Sequence, residues 1–146
     1  MKNDRTRAVV KDDYSAALGV AAWCFAVCEW NVVWCCERIE PGALQRIVGE
    51  ELTAGRIAHK FKDLVRNMPQ SKEREELRTL AQGFASLVNT RNDILHGKPC
   101  TGPSGDARLY SGRVLEISDL EDAADAFANC SHGLNRLLHG FLATCS

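Results

Sequence analysis

Arg91, Asn92 and His96 fall together in TRNDILHGKP, residues 90–99. An arginine presents a planar fork of donors that matches the oxygens of a phosphate or carboxylate. A histidine takes up or gives a proton near physiological pH. An asparagine can hold either one in place through its amide. Such a set could bind an anion and move a proton beside it. Gly97 and Pro99 follow at once, so the helix carrying these residues ends here and His96 projects from its last turn. A helix C-terminus favours the imidazolium.

The helix that positions them starts near Ser71 and runs toward His96. Its apolar residues Leu77, Leu80, Phe84 and Leu87 step by three and four, the spacing of a core stripe. Extended, that stripe meets Arg91, and the adjoining line Val88, Asn92, Leu95 meets Asn92. Two strongly polar residues thus stand where the pattern calls for apolar ones. A buried cation without a partner is costly, so Arg91 requires an anion, a crevice or a second chain. One reading is an internal salt bridge, to Asp93 or to a carboxylate on another helix; the other is a ligand. His96 lies about 140° further round an ideal helix than Arg91, so the two do not share a face.

The remaining elements are also helical. A first helix runs from a cap at Asp12 or Asp13 to about Arg38, before Pro41-Gly42. Its core stripe is Tyr14, Leu18, Ala21, Phe25, Cys28, Val32 and Cys35. A second stripe, Trp23, Val27, Trp30 and Trp34, lies nearly opposite. A helix apolar on two faces is covered on two faces, and the tryptophan face is a candidate subunit interface. Residues 42–67 form a second helical region broken near Thr53–Gly55, marked by Leu44 and Val48, then by Ile57, Phe61, Leu64 and Met68. The last helix is expected over residues 119–144, with a capping box from Ser118 to Glu121 and the stripe Leu120, Ala124, Phe127, Ser131, Leu134, Leu138, Phe141. Between these helices, residues 97–117 hold a loop with a short hairpin turning at Ser111-Gly112, Leu109, Val114 and Ile117 being strand-like. The sum is an all-α up-down bundle of four to five helices with a long loop before the last one. Residues 1–11 are expected to form a flexible N-terminus, and 12–146 a single domain.

Composition narrows the function. Net charge is −1, which excludes a generally basic nucleic-acid coat; any anion site must be a local cluster. Seven cysteines are many for 146 residues. Cys24, Cys28, Cys35, Cys36 and Cys130 sit inside helical patterns and no Cys-x-x-Cys occurs, which reads as reduced, buried cysteine rather than a metal site. His96 and Cys100 lie four residues apart. The N-terminus MKNDRTR continues into KDD without an apolar core, unlike a secretory signal. Residues 15–36 are long enough to span a bilayer, yet Glu29 and Asn31 interrupt them, and the reading taken is a buried helix of a cytoplasmic protein. There is no P-loop pattern, no His-Glu-x-x-His and no nucleophile elbow. His59, His132 and His139 read as structural or exposed.

The run Arg91-Asn92-Asp93-Ile94-Leu95-His96 resembles the R-x4-H motif of the HEPN superfamily, including the polar residue that many members carry after the arginine. The helical layout of nearly the whole chain agrees with it. The resemblance implies a helical, often dimeric domain and a metal-independent ribonuclease without cofactor. It further implies a toxin of a toxin–antitoxin pair or a defence component, whose partners would be RNA, a second copy and an antitoxin protein. RNA cleavage by its own 2′-hydroxyl needs a base, an acid and positive charge at the phosphorane. One motif has one histidine; a two-fold dimer supplies two histidines and two arginines around one phosphate. Arg91 and His96 are then the catalytic candidates, with Asn92 holding the geometry. Lys98, Arg108 and Arg113 of the following loop are candidate phosphate contacts. Two alternatives stay open: a non-catalytic HEPN-like module binding RNA, nucleotide or protein, and a helical interaction protein whose Arg91 only bridges subunits.

Overall fold

The computed structural model describes residues 9–144, and 73% of it is helical. Helix α1 spans Asp12–Ile39, α2 Ala43–Gly49, α3 Ala54–Arg66, α4 Lys72–Leu95 and α5 Ile117–His139. Between α4 and α5 lies a small antiparallel sheet of β1 (Lys98–Thr101), β2 (Ala107–Tyr110) and β3 (Val114–Leu115), in that spatial order. A 3-10 turn, Phe141–Thr144, closes the described chain. The all-helical bundle with a hairpin-bearing connection before the last helix is therefore the architecture.

α1 is the central helix. Tyr14, Ala21, Phe25, Cys28, Val32 and Cys35 are buried along one stripe, and α1 packs most extensively on α5 and then on α3. The aromatic centre is a stack of Phe25 on Phe84, 5.8 Å between centroids, with Phe127 edge-on to Phe25 at 5.2 Å. Such contacts add to the burial of three large rings. By length and composition α1 is also apolar enough to cross a membrane.

Several local expectations are corrected. Neither Asp12 nor Asp13 caps α1. Lys11 holds the N-cap position in extended conformation, and both aspartates lie in the first turn, where their charge complements the helix dipole. In α2 the buried residues are Ala43 and Ile47, while Val48 is exposed. The capping box of α5 is made by Glu116 and Asp119, not by Ser118 and Glu121. Asp119 Oδ2 accepts from the Glu116 N–H at 2.8 Å, which starts the helix at Ile117 and removes that residue from the strand. α5 stops at His139, and the last four described residues tighten into the 3-10 turn. The loop holds two turns rather than one. Gly105, at φ +86, turns β1 into β2, and Gly112, at φ +72, turns β2 into β3; both conformations favour glycine. The N-terminal residues 1–8 and the C-terminal pair that includes Cys145 lie outside the described residues. Of the N-terminal stretch that is described, Lys11 reaches the sheet and pairs with Asp106 at 2.9 Å.

Tyr14 fastens the sheet to the bundle. Its hydroxyl donates to the Leu115 carbonyl at 2.9 Å and accepts from the Leu109 N–H at 3.0 Å. One buried side chain thus satisfies two strand groups across most of the sequence.

Candidate functional site

α4 brings the three motif residues to its last two turns. Thr53 and Ser71 cap α3 and α4 through their side chains, and the apolar face of α4, Leu77, Ala81, Phe84 and Val88, docks on the core. That fixes the helix axis, and the C-terminal turns follow from it. His96 is the C-cap residue, its N–H donating to the Asn92 carbonyl at 2.9 Å. Gly97 follows because space is short, not because its backbone is left-handed. A Cβ there would sit 3.0 Å from the Leu109 Cβ and 3.2 Å from the Ile94 carbonyl. The last turn of α4 thereby presses against β2.

Arg91 is half-buried, as its place in the stripe requires. Its guanidinium lies over the Phe25 ring, 5.4 Å from the centroid, and Nη1 donates to Asn92 Oδ1 at 3.0 Å. Among the described residues no carboxylate comes within ion-pair distance of it, so neither Asp93 nor another helix supplies the internal salt bridge. Its requirement is met by a crevice instead. α1 and α4 meet through Phe25 and Phe84 rather than along their backbones, and above that stack a space of about 160 Å³ opens. Phe25 and Phe127 floor it. Ala22 and Ala26 of α1 form one wall, Ile94 and Leu95 of α4 the other, and Arg91 and Glu29 supply its charged groups.

Glu29 was missed as a site residue. Its carboxylate accepts no hydrogen bond among the described residues. Burial pushes its pKa up, and the Arg91 charge pulls it part of the way back. The signal was present in the sequence: a lone charge inside an otherwise apolar helix, read there only as evidence about a bilayer.

The other candidates are distributed differently. Asn92 is half-buried beside Arg91 and accepts a hydrogen bond from its guanidinium. His96 is exposed and does not line the crevice. Lys98 is exposed at the start of β1. Arg108 is folded inward, over the Tyr14 ring at 4.7 Å, with Glu116 at 3.6 Å and Asp106 at 3.9 Å; its Nε is buried without a hydrogen bond. Arg113 pairs with Asp119 at 2.8 Å and stays 65% exposed. That partnership, with the Glu116 N–H, holds the Asp119 carboxyl below its ordinary value.

The second face of α1 is open. Trp23 is 71% exposed, and Trp30 and Trp34 meet edge to face at 6.3 Å, both substantially exposed with Val27. On one side of this ridge lies the Arg91 crevice. On the other lies a groove between α1 and α5, where Asn31 donates to Ser131 Oγ at 2.7 Å. An exposed apolar face of this kind is a candidate interaction surface. The cysteines Cys28, Cys35, Cys36 and Cys130 are buried, and all six within the described residues are free thiols. Burial pushes Cys35 and Cys36 up to about 12, which makes them poor nucleophiles. Comparison with family models, with curated proteins and with solved structures finds no match for the chain.

Proposed function

We propose that the chain is a metal-independent endoribonuclease of HEPN type, acting as a homodimer in which Arg91 and His96 of both protomers form one composite site. The observation that carries this reading is Arg91: a half-buried guanidinium at a crevice with no carboxylate partner among the described residues, five positions from an exposed helix-terminal histidine. An arginine so placed has unused donors for a phosphate.

The chemistry uses residues of both chains. One His96 imidazole takes the proton of the RNA 2′-hydroxyl, whose oxygen attacks the adjacent phosphorus. The bond from phosphorus to the 5′-oxygen breaks, and the other His96, as imidazolium, gives that oxygen a proton. The products are a 2′,3′-cyclic phosphate and a 5′-hydroxyl. The two guanidinium groups answer the charge on the phosphorane. The tryptophan ridge beside the crevice supplies a surface through which a second copy would bring its own motif close. A toxin or defence role with an antitoxin partner, and a cytoplasmic setting where RNA is met, belong to the same reading.

A second reading is favoured by one observation. His96 does not line the crevice that holds Arg91 within one chain, which suits a non-catalytic HEPN-like module binding RNA, nucleotide or protein at that crevice. Purified chain, incubated with RNA in excess EDTA beside His96→Ala, separates them. The nuclease reading expects cleavage that falls by about two orders of magnitude or more in the variant. Cleavage that survives the substitution, or vanishes with EDTA, overturns it.

A further inference from the structure

Resting on the ribonuclease reading, we propose that the crevice between α1 and α4 is a base-recognition subsite that selects guanine, with the Glu29 carboxylate accepting from the guanine N1–H and N2–H₂ while Arg91 holds the phosphate of the same nucleotide.

Shape comes first. The crevice holds about 160 Å³, well below the roughly 300–1,000 Å³ of pockets for drug-sized ligands. That is room for one planar ring system. Its walls suit a ring: Ala22 and Ala26 present only methyl groups, and Ile94 and Leu95 face them with apolar surface. Leu95 is 51% exposed, an open apolar lip that none of the described residues covers. Phe25 and Phe127 also line it and are themselves buried, so its inner side is fixed by the core.

Polarity then chooses the base. An ionised carboxylate only accepts hydrogen bonds. Guanine alone among the four RNA bases presents two adjacent donors on its Watson–Crick edge. Adenine and cytosine set one amino group beside an acceptor, and uracil sets one N–H between two carbonyls. Against each of these, one carboxylate oxygen would face a lone pair. Glu29 is partly buried and accepts no hydrogen bond among the described residues; a buried acceptor of this kind is costly until a donor arrives. Burial opposes the charged form of Glu29, and Arg91, on the same crevice, partly offsets that.

Arg91 fixes the register. The attacking 2′-hydroxyl and the phosphate on its 3′ side belong to one nucleotide, so holding that nucleotide's base gains most from positioning. Cleavage is then expected on the 3′ side of guanosine.

The test uses the full chain and two readouts. Binding of the 3′-monophosphates of guanosine, adenosine, cytidine and uridine is measured by calorimetry or NMR titration, and cleavage positions are mapped on an RNA containing all four bases. The expected result is a guanosine preference of about tenfold or more, the scale of a bidentate base contact. Glu29→Gln, whose amide presents one donor and one acceptor, should abolish it. Ala26→Leu, which narrows the slot without touching its charges, should weaken guanosine 3′-monophosphate binding. Equal binding of the four nucleotides, no binding, or a guanosine preference that persists in Glu29→Gln overturns the subsite. RNA cleavage without base preference would sink the subsite and leave the nuclease standing. Guanosine preference without cleavage would do the reverse.

Discussion

The guanidinium of Arg91 lies over the face of Phe25, on the ring that Phe84 stacks against from α4. The cation that breaks the apolar pattern of α4 is therefore seated on the aromatic core. A partly desolvated contact of this type is worth roughly 1–2 kcal/mol. It depends on a flat, delocalised cation, and Asn92 holds that plane from the side.

Arg91→Lys should accordingly leave the chain helical and fail to restore cleavage. An ammonium can carry the charge but cannot present the fork or lie flat on Phe25. Single-turnover rates should place Arg91→Lys much nearer Arg91→Ala than wild type. A lysine variant at near wild-type rate would show that Arg91 acts as charge alone.

The ridge predicts the oligomer. Trp23→Glu combined with Trp30→Glu places charge on an open apolar face and removes nothing from the core, since both residues are exposed. Light scattering at micromolar concentration should give twice the 16.1 kDa chain for wild type and a single chain for the variant, with cleavage lost in parallel. A wild type that is monomeric throughout the active concentration range rules out the composite site.

Tyr14→Phe keeps the buried ring and deletes one oxygen. It leaves the Leu109 N–H and the Leu115 carbonyl without their partner, so the loss should be about 1–3 kcal/mol per stranded group at most. Chemical denaturation measures it. Amide exchange should show the loss first at Leu109.

Glu29 sets a pH dependence of stability. Its folded pKa is raised by burial above the ordinary 4.5, so the folded state holds the proton more tightly than the unfolded chain. The contribution of this residue to stability is largest below that ordinary value and falls as pH rises through the raised one. Glu29→Gln, which resembles the protonated acid, should raise Tm at neutral pH, and the gain should shrink to nothing below pH 4.5. An unchanged Tm at neutral pH would mean that the carboxylate is fully hydrated in the folded chain.

The parts legible in the sequence are those set by period. Tyr14, Phe25, Cys28 and Val32 repeat at helical spacing for many turns, and a long repeat admits one core face. α2 is seven residues long. Over two turns, the lines Leu44–Val48 and Ala43–Ile47 are equally good, and packing against α1 decided between them. At the start of α5 two capping pairs two residues apart were available, Ser118 with Glu121 and Glu116 with Asp119, and the second formed, with Asp119 also held by Arg113 at 2.8 Å. The half-burial of Arg91 was legible in the stripe, and its neighbours were not. Arg91 announced a special environment, but which ring would seat it depended on how α1 lies against α4, which no local pattern encodes.

The hydroxyl of Tyr14 joins groups 95 and 101 positions away in the chain. Contacts of such span are closed late, after the local helices have formed. On a ribosome, where synthesis runs at about 5–20 residues per second, β3 must be made and released before the first helix can clasp the sheet that buttresses the end of α4. Until then Gly97 has no Leu109 to press against and His96 has no fixed turn to cap. A growing chain therefore lacks the buttressed turn at Arg91 and His96 until β3 has emerged. Under the ribonuclease proposal, the message being translated would be spared until β3 has emerged.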